Sequence, residues 1–150
     1  MIPLCLDEGI GTVVWSPLAR GRLARPWEAA KSTARAETDG GYADLLYTPL
    51  TETSDHAIVD AVGGIAEARG VSRAQVALAW LRSKPVVTAP LVGASTVRQI
   101  DDATASLDIE LSDEEIRALE PPYTPRYDFQ GISDDEEIAR IRAQIPGMSP

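Results

Sequence analysis

Very little in this chain could hold a metal or a disulfide. Its 150 residues include a single cysteine, Cys5, and a single histidine, His56. One cysteine makes no intrachain disulfide, and the pair falls short of the four ligands of a structural zinc site. Aromatic residues are scarce at 5%, so aliphatic side chains and alanine have to supply the core. Basic residues number 14 against 23 acidic ones, leaving a formal net charge of −9. That balance excludes a broad nucleic-acid or anionic-membrane surface, because wide phosphate binding requires a basic patch. No apolar run approaches the ~20 residues of a membrane-spanning helix. The opening residues MIPLCLDEG have neither a basic start nor a long apolar stretch, so no secretory leader is expected. The expected location is the cytoplasm.

What is present is ordinary for a globular domain, with 44% hydrophobic and 25% charged residues. The acidic excess gathers in the last third, as at Asp113 to Glu115 and Asp134 to Glu137, and reads as solvated helix starts. Two short runs look like strands. Gly11 to Trp15 and Val86 to Val92 are apolar on both faces, the pattern of strands buried within a parallel sheet. Pro90 removes a ladder donor and belongs near the end of its strand.

Helices fill most of the remainder. Ile2 to Glu8 reads as a helix end feeding the first strand. Ser54 or Asp55 is expected to cap a helix with Ile58, Val62, Ile65 and Ala66 on one face, stopped by Gly70. Ser72 with Gln75 has capping-box spacing and opens a helix apolar nearly all round. Gly93 to Ser95 leads into a helix with Ile100, Ala103 and Leu107 turned inward. Ser112 with Glu115 opens another, and Ser133 with Glu136 starts a last amphipathic helix through Ile145. From Arg20 to Asp55 no period is sustained, and connections of that length are usually functional loops.

Strand–helix alternation points to an α/β fold with a parallel sheet. Two buried strands cannot complete such a sheet, since each needs neighbours on both edges. The economical expectation is that further strands lie upstream of Met1.

Two motifs carry a resemblance. Trp15-Ser16-Pro17-Leu18-Ala19-Arg20-Gly21 follows the first strand. Leu91-Val92-Gly93-Ala94-Ser95-Thr96, with Arg98, Gln99 and Asp102, follows the second. Together, and with the Arg69 to Leu81 helix between them, they resemble the last two strands of the aldo/keto reductases, closest to the bacterial aryl-alcohol dehydrogenase-like branch. The likeness covers about Ile2 to Tyr123. It implies the C-terminal part of a (β/α)8 barrel over residues 1–123, with 124–150 a tail carrying a short helix.

The resemblance also implies a cofactor, NADP(H), and a small-molecule carbonyl substrate. Trp15 would stack on the nicotinamide, as a flat indole at a barrel mouth can, although a core-capping tryptophan is the plain alternative. Ser16, Pro17 and Leu18 would line the ribose and pyrophosphate. Gly93 and Ser95 would cradle phosphate at a helix start, where N–H groups and the dipole favour anions; the plain alternative makes Ser95 an N-cap. Arg98 and Gln99 would face the 2′-phosphate and adenosine, and Arg20, Arg25 and Arg35 belong to the loop that folds over the phosphates. Asp102 and Ala103 replace the glutamate and asparagine that usually hold the adenine, so that end is altered.

The family's catalytic tetrad of aspartate, tyrosine, lysine and histidine would lie upstream of residue 1, so no catalytic residue is assigned. Tyr42, Tyr47 and Tyr123 lie in loops without a positioned lysine, and His56 stands at a helix start. The reading is therefore a carbonyl reductase present as a C-terminal piece, inactive alone. The alternatives are a non-catalytic nucleotide-binding module, one half of a split enzyme completed by an N-terminal half, or a remnant whose bare edges self-associate.

Overall fold

The computed structural model describes residues 1–30 and 51–123. Helix α1 spans Ile2–Asp7 and feeds strand β1, Thr12–Trp15. A 3-10 segment, Ala19–Ala24, follows, and then the short helix α2, Trp27–Ala30. Helices α3, Glu52–Arg69, and α4, Arg73–Arg82, lead to strand β2, Val87–Leu91. Helix α5, Val97–Ala105, a 3-10 turn at Ser106–Asp108 and helix α6, Asp113–Leu119, complete the order. The helix expected from Ser133 lies outside the described residues.

β1 and β2 form a two-stranded parallel sheet in which Trp15 stands beside Leu91 and Val14 beside Pro90. The expectation of strands buried on both faces needs correction. β1 alternates half-buried and exposed residues, because only one sheet face is covered: Pro90 meets Leu78 of α4 in a shared cleft. The anticipated wholly irregular stretch after Arg20 also needs correction. It holds most of the 3-10 segment, and α2 starts directly behind Pro26, buries Trp27 and stacks the Arg22 guanidinium 5.3 Å from the Trp27 ring.

The core is helical. Val62 and Ala66 of α3, Val76 of α4 and Leu119 of α6 close on one another, with Leu23, Ile65, Val71 and Trp80 packed around them. α4 carries four successive buried residues, Val76 to Ala79, matching its apolar girdle. It touches α3, α5, β2 and the 3-10 segment, which makes it the hub of the packing.

Local sequence sets the helix ends. Ser72 and Gln75 make both bonds of a capping box, as do Ser112 and Glu115. Gly70 ends α3 in the left-handed region at φ 66°, where glycine escapes the Cβ penalty. The start of α3 differs from expectation. Thr51 is its N-cap residue, and Ser54 instead donates to the carbonyl of Pro122 at 2.7 Å, tying the helix to the end of α6. The inward side expected of α5 is also less covered than the periodicity implies. Ile100 and Leu107 remain more than half exposed, because an open cleft of about 310 Å³ separates α5 from α4 and the end of β2.

Candidate cofactor site

Parallel pairing brings the loops after β1 and β2 out of the same end of the sheet, side by side, because Trp15 and Leu91 are partners. Trp15 closes β1 and is 59% exposed. Directly beyond it the backbone turns sharply. Ser16 (φ 53°), Ala19 (φ 47°) and Arg20 (φ 58°) occupy the left-handed region without being glycines, and Gly21 follows at φ 90°. Each non-glycine residue there costs on the order of 1–3 kcal/mol, a cost concentrated at sites where loop shape matters. The Ala19 N–H donates to the Ser16 carbonyl at 2.9 Å and the Gly21 N–H to the Leu18 carbonyl at 2.8 Å, locking the turn. No sequence rule marked these three residues as left-handed; only Gly21 carried such a signal.

The same loop is the basic part of an acidic chain. From Ser16 to Pro26 it holds Arg20, Arg22 and Arg25 with no acidic residue. The Arg25 guanidinium folds back toward Gly21. Arg35 lies outside the described residues. Across the sheet end, Gly93 has open space where a Cβ would stand, so this loop keeps room for a ligand against its backbone. Ser95 is not the helix cap. Thr96 is, because its hydroxyl accepts from the Gln99 N–H and the Gln99 side chain reaches back, the spacing of a capping box one residue further on. The Gln99 carbonyl oxygen accepts from the Ser95 N–H (2.7 Å), the Ser95 hydroxyl (3.2 Å) and the Thr96 N–H (3.3 Å). A phosphate seated at this helix start would have to displace that oxygen. Arg98 is exposed, whereas Asp102 and Ala103 are half-buried, Ala103 lining the cleft beneath α5.

The room, the exposed indole and the local arginines fit a dinucleotide at its nicotinamide and phosphate end. The adenine end fits less well, since alanine offers no hydrogen bond. Shifted titrations lie elsewhere and belong to ion pairs. Hydrogen bonding from Arg69 holds the Glu115 carboxyl down at about 2, against an ordinary 4.5, and Lys84 lowers that of Glu120. Among the described residues Lys84 is the sole lysine, and it is engaged with Glu120 and set 4.6 Å from the Trp80 ring. Tyr123 is exposed. His56 packs against Trp27 with ring centroids 5.2 Å apart and lies 3.7 Å from Asp60. Among the described residues there is no cluster of three metal-ligating side chains, and no helix is long and apolar enough to cross a membrane.

A small parallel sheet, helix-covered on one face, with the loops after both strands leaving one end, defines an α/β unit. The chain belongs to the aldo/keto reductase family, whose model matches residues 1–121. It is 49% identical over 126 residues to versiconal hemiacetal acetate reductase of Aspergillus parasiticus, covering 84% of this chain and 36% of that protein. A putative aryl-alcohol dehydrogenase of Schizosaccharomyces pombe is 41% identical over 127 residues, 83% of this chain and 34% of its own length. Aldo-keto reductase AMT2 of Alternaria alternata is 42% identical over 82% of this chain and 32% of its own. The chain thus spans about a third of the length of these relatives, all three of them fungal. The family fold is a (β/α)8 barrel, and a small parallel sheet with its helices is consistent with part of one.

Proposed function

We propose that this chain forms the NADPH-holding part of a reductase that converts aldehydes or ketones to alcohols. The observation that supports the reading is the Trp15–Leu91 pairing, which brings the arginine-bearing loop after the exposed Trp15 beside the open glycine loop after Leu91. NADPH, when bound, supplies the hydride. Trp15 offers its face to the nicotinamide, and Ser16, Pro17 and Leu18 line the ribose and pyrophosphate. Arg20, Arg25, Arg35 and Arg98 offer charge-assisted donors to the phosphates. Gly93 and Ser95 form the opposite wall, and Gln99 and Asp102 border the adenosine.

Carbonyl reduction also needs a proton donor within hydrogen-bond reach of the reacting oxygen. None of the described tyrosine, lysine or histidine groups is assigned that task, so the chain by itself binds without turnover. Titration of the purified chain with NADPH, followed by quenching of nucleotide fluorescence, tests the binding. We expect a Kd of about 10 µM or weaker. The variant Trp15→Ala should bind roughly tenfold less tightly, the scale of one stacking contact. Absence of quenching, or an unchanged Kd in Trp15→Ala, would sink the assignment. Measurable reduction of an aromatic aldehyde would refute the absence of a proton donor.

A further inference from the structure

Helix α2 is too short to stand by itself. It has four residues, and a first helical turn fixes several dihedrals for a single hydrogen bond. Tertiary contact has to hold it, and the contact is made by its first residue. Trp27 is 7% exposed, and its ring rests on that of His56 in α3 with centroids 5.2 Å apart. His56 in turn lies 3.7 Å from Asp60, one turn further along α3.

The same indole meets the loop after β1. The Arg22 guanidinium is set over the Trp27 ring, 5.3 Å from its centre, a distance at which a cation is attracted to an aromatic face. That loop has physical reasons to come apart. Arg20, Arg22 and Arg25 repel one another with no acidic residue between Ser16 and Pro26, and Ser16, Ala19 and Arg20 hold left-handed backbone. Residues in that region persist there only where their surroundings enforce it. Enforcement comes from the turn's own hydrogen bonds, from Leu23 packed on the helical core, and from Arg22 on Trp27. Leu23 and Arg22 are neighbours that fasten the 3-10 segment to different bodies, one to the core and the other to α2. Arg25, by contrast, folds toward Gly21 within the loop.

We propose that Arg22 and Trp27 are positioning residues for the cofactor loop. Their stack, backed by His56, ties the turn at Ala19 to Gly21 to α3, so Arg22 acts by holding Arg20 and Arg25 in place and not by touching a phosphate. Only the identity of the ligand rests on the nucleotide reading above. The clamp stands apart from it, and a measurement without nucleotide separates the two.

That measurement is hydrogen exchange of the full chain, followed by NMR. The amides of Gly21 and Leu23 both donate to the Leu18 carbonyl, at 2.8 and 3.3 Å, and report whether the turn is closed. In Arg22→Gln and in Trp27→Leu they should exchange about tenfold faster, while those of Val76 and Leu78 in the core keep their rates. Arg22→Lys keeps a cation for the ring and should stay within about threefold of the parent. Where Trp27→Leu disturbs the core as well, Arg22→Gln decides, since Arg22 is a half-buried loop residue. Unchanged loop exchange in Arg22→Gln would overturn the clamp. NADPH titration of the same proteins then tests the role. Each single substitution should raise the Kd by about tenfold, and the double substitution no further, because both break one contact. If Arg22→Gln weakens binding as much beside Trp27→Leu as in the parent, Arg22 is itself a phosphate ligand and the positioning role is wrong. A parent chain that fails to quench defeats the nucleotide reading, and the exchange rates still decide the clamp.

Discussion

Gly63 and Gly64 sit next to each other in α3, and the space around them is opposite. A Cβ at Gly64 would meet nothing within 4 Å, whereas one at Gly63 would overlap the guanidinium of Arg73. That guanidinium lies across the helix and donates to the Val59 carbonyl at 2.7 Å, with only 17% of the side chain exposed. Alanine is favoured over glycine in a helix interior by ~1 kcal/mol. Gly64→Ala should therefore stabilise the chain by ~0.5–1 kcal/mol. At Gly63 the gain is offset by expelling Arg73 and losing its hydrogen bond, so the two variants should differ by ~1–2 kcal/mol. Urea unfolding of both compares them directly, and equal midpoints would contradict the packing of Arg73 on Gly63. At this scale the sequence was a partial guide. Trp15 and Gly93 were legible because strand ends and glycine loops have local signatures. Arg73 over Gly63 was not, because it depends on how two helices meet.

Two helix starts show what a capping box can and cannot do beyond capping. At α6, Glu115 is both the reciprocal cap of Ser112 and the partner of Arg69 at the end of α3, whose Nη2 also donates to the Glu110 carbonyl at 2.9 Å. Its carboxyl stands at about 2, below the ordinary 4.5, chiefly through the Arg69 bond. A depressed acid contributes stability that is fully present above its unfolded value and lost as pH falls through its folded one. Stability should thus decline between pH 4.5 and about 2. Glu115→Gln keeps the cap but not the charge, so it should flatten that part of a stability–pH profile; an unchanged slope would show that other carboxylates set it. At α5, Gln99 occupies the N–H groups that a phosphate would use. Gln99→Glu should preserve the helix yet weaken NADPH binding by roughly tenfold, since a fixed negative charge replaces a displaceable amide. Equal affinity in the two proteins would move the phosphate away from Ser95. Both boxes were written in the sequence. Thr96 with Gln99 has the same spacing as Ser72 with Gln75, and reading it would have located the cap one residue past Ser95.

Taken whole, the chain is a helical core with a sheet attached to one of its sides. The stripe expected on α3, with Val62 and Ala66, and the apolar girdle of α4 foretold most of that core. The exposed face of the strands was not foretold, because an apolar run says that a strand should be covered and not that a cover is present. This asymmetry makes a dynamic prediction. Opening of an amide requires breaking the packing around it, so exchange with solvent should track local burial. Val62, Val76 and Leu78 sit at 4%, 0% and 1% exposure, while Val13 and Trp15 stand in the open on a strand with a single partner. Amides of the α3–α4 core should then exchange more slowly than those of β1 by about two orders of magnitude, ~3 kcal/mol of opening free energy. Hydrogen-exchange mass spectrometry of the isolated chain resolves the two segments. Equal protection would mean that β1 and the helices open as one unit, and that the sheet draws on the core for more stability than its single covered face implies.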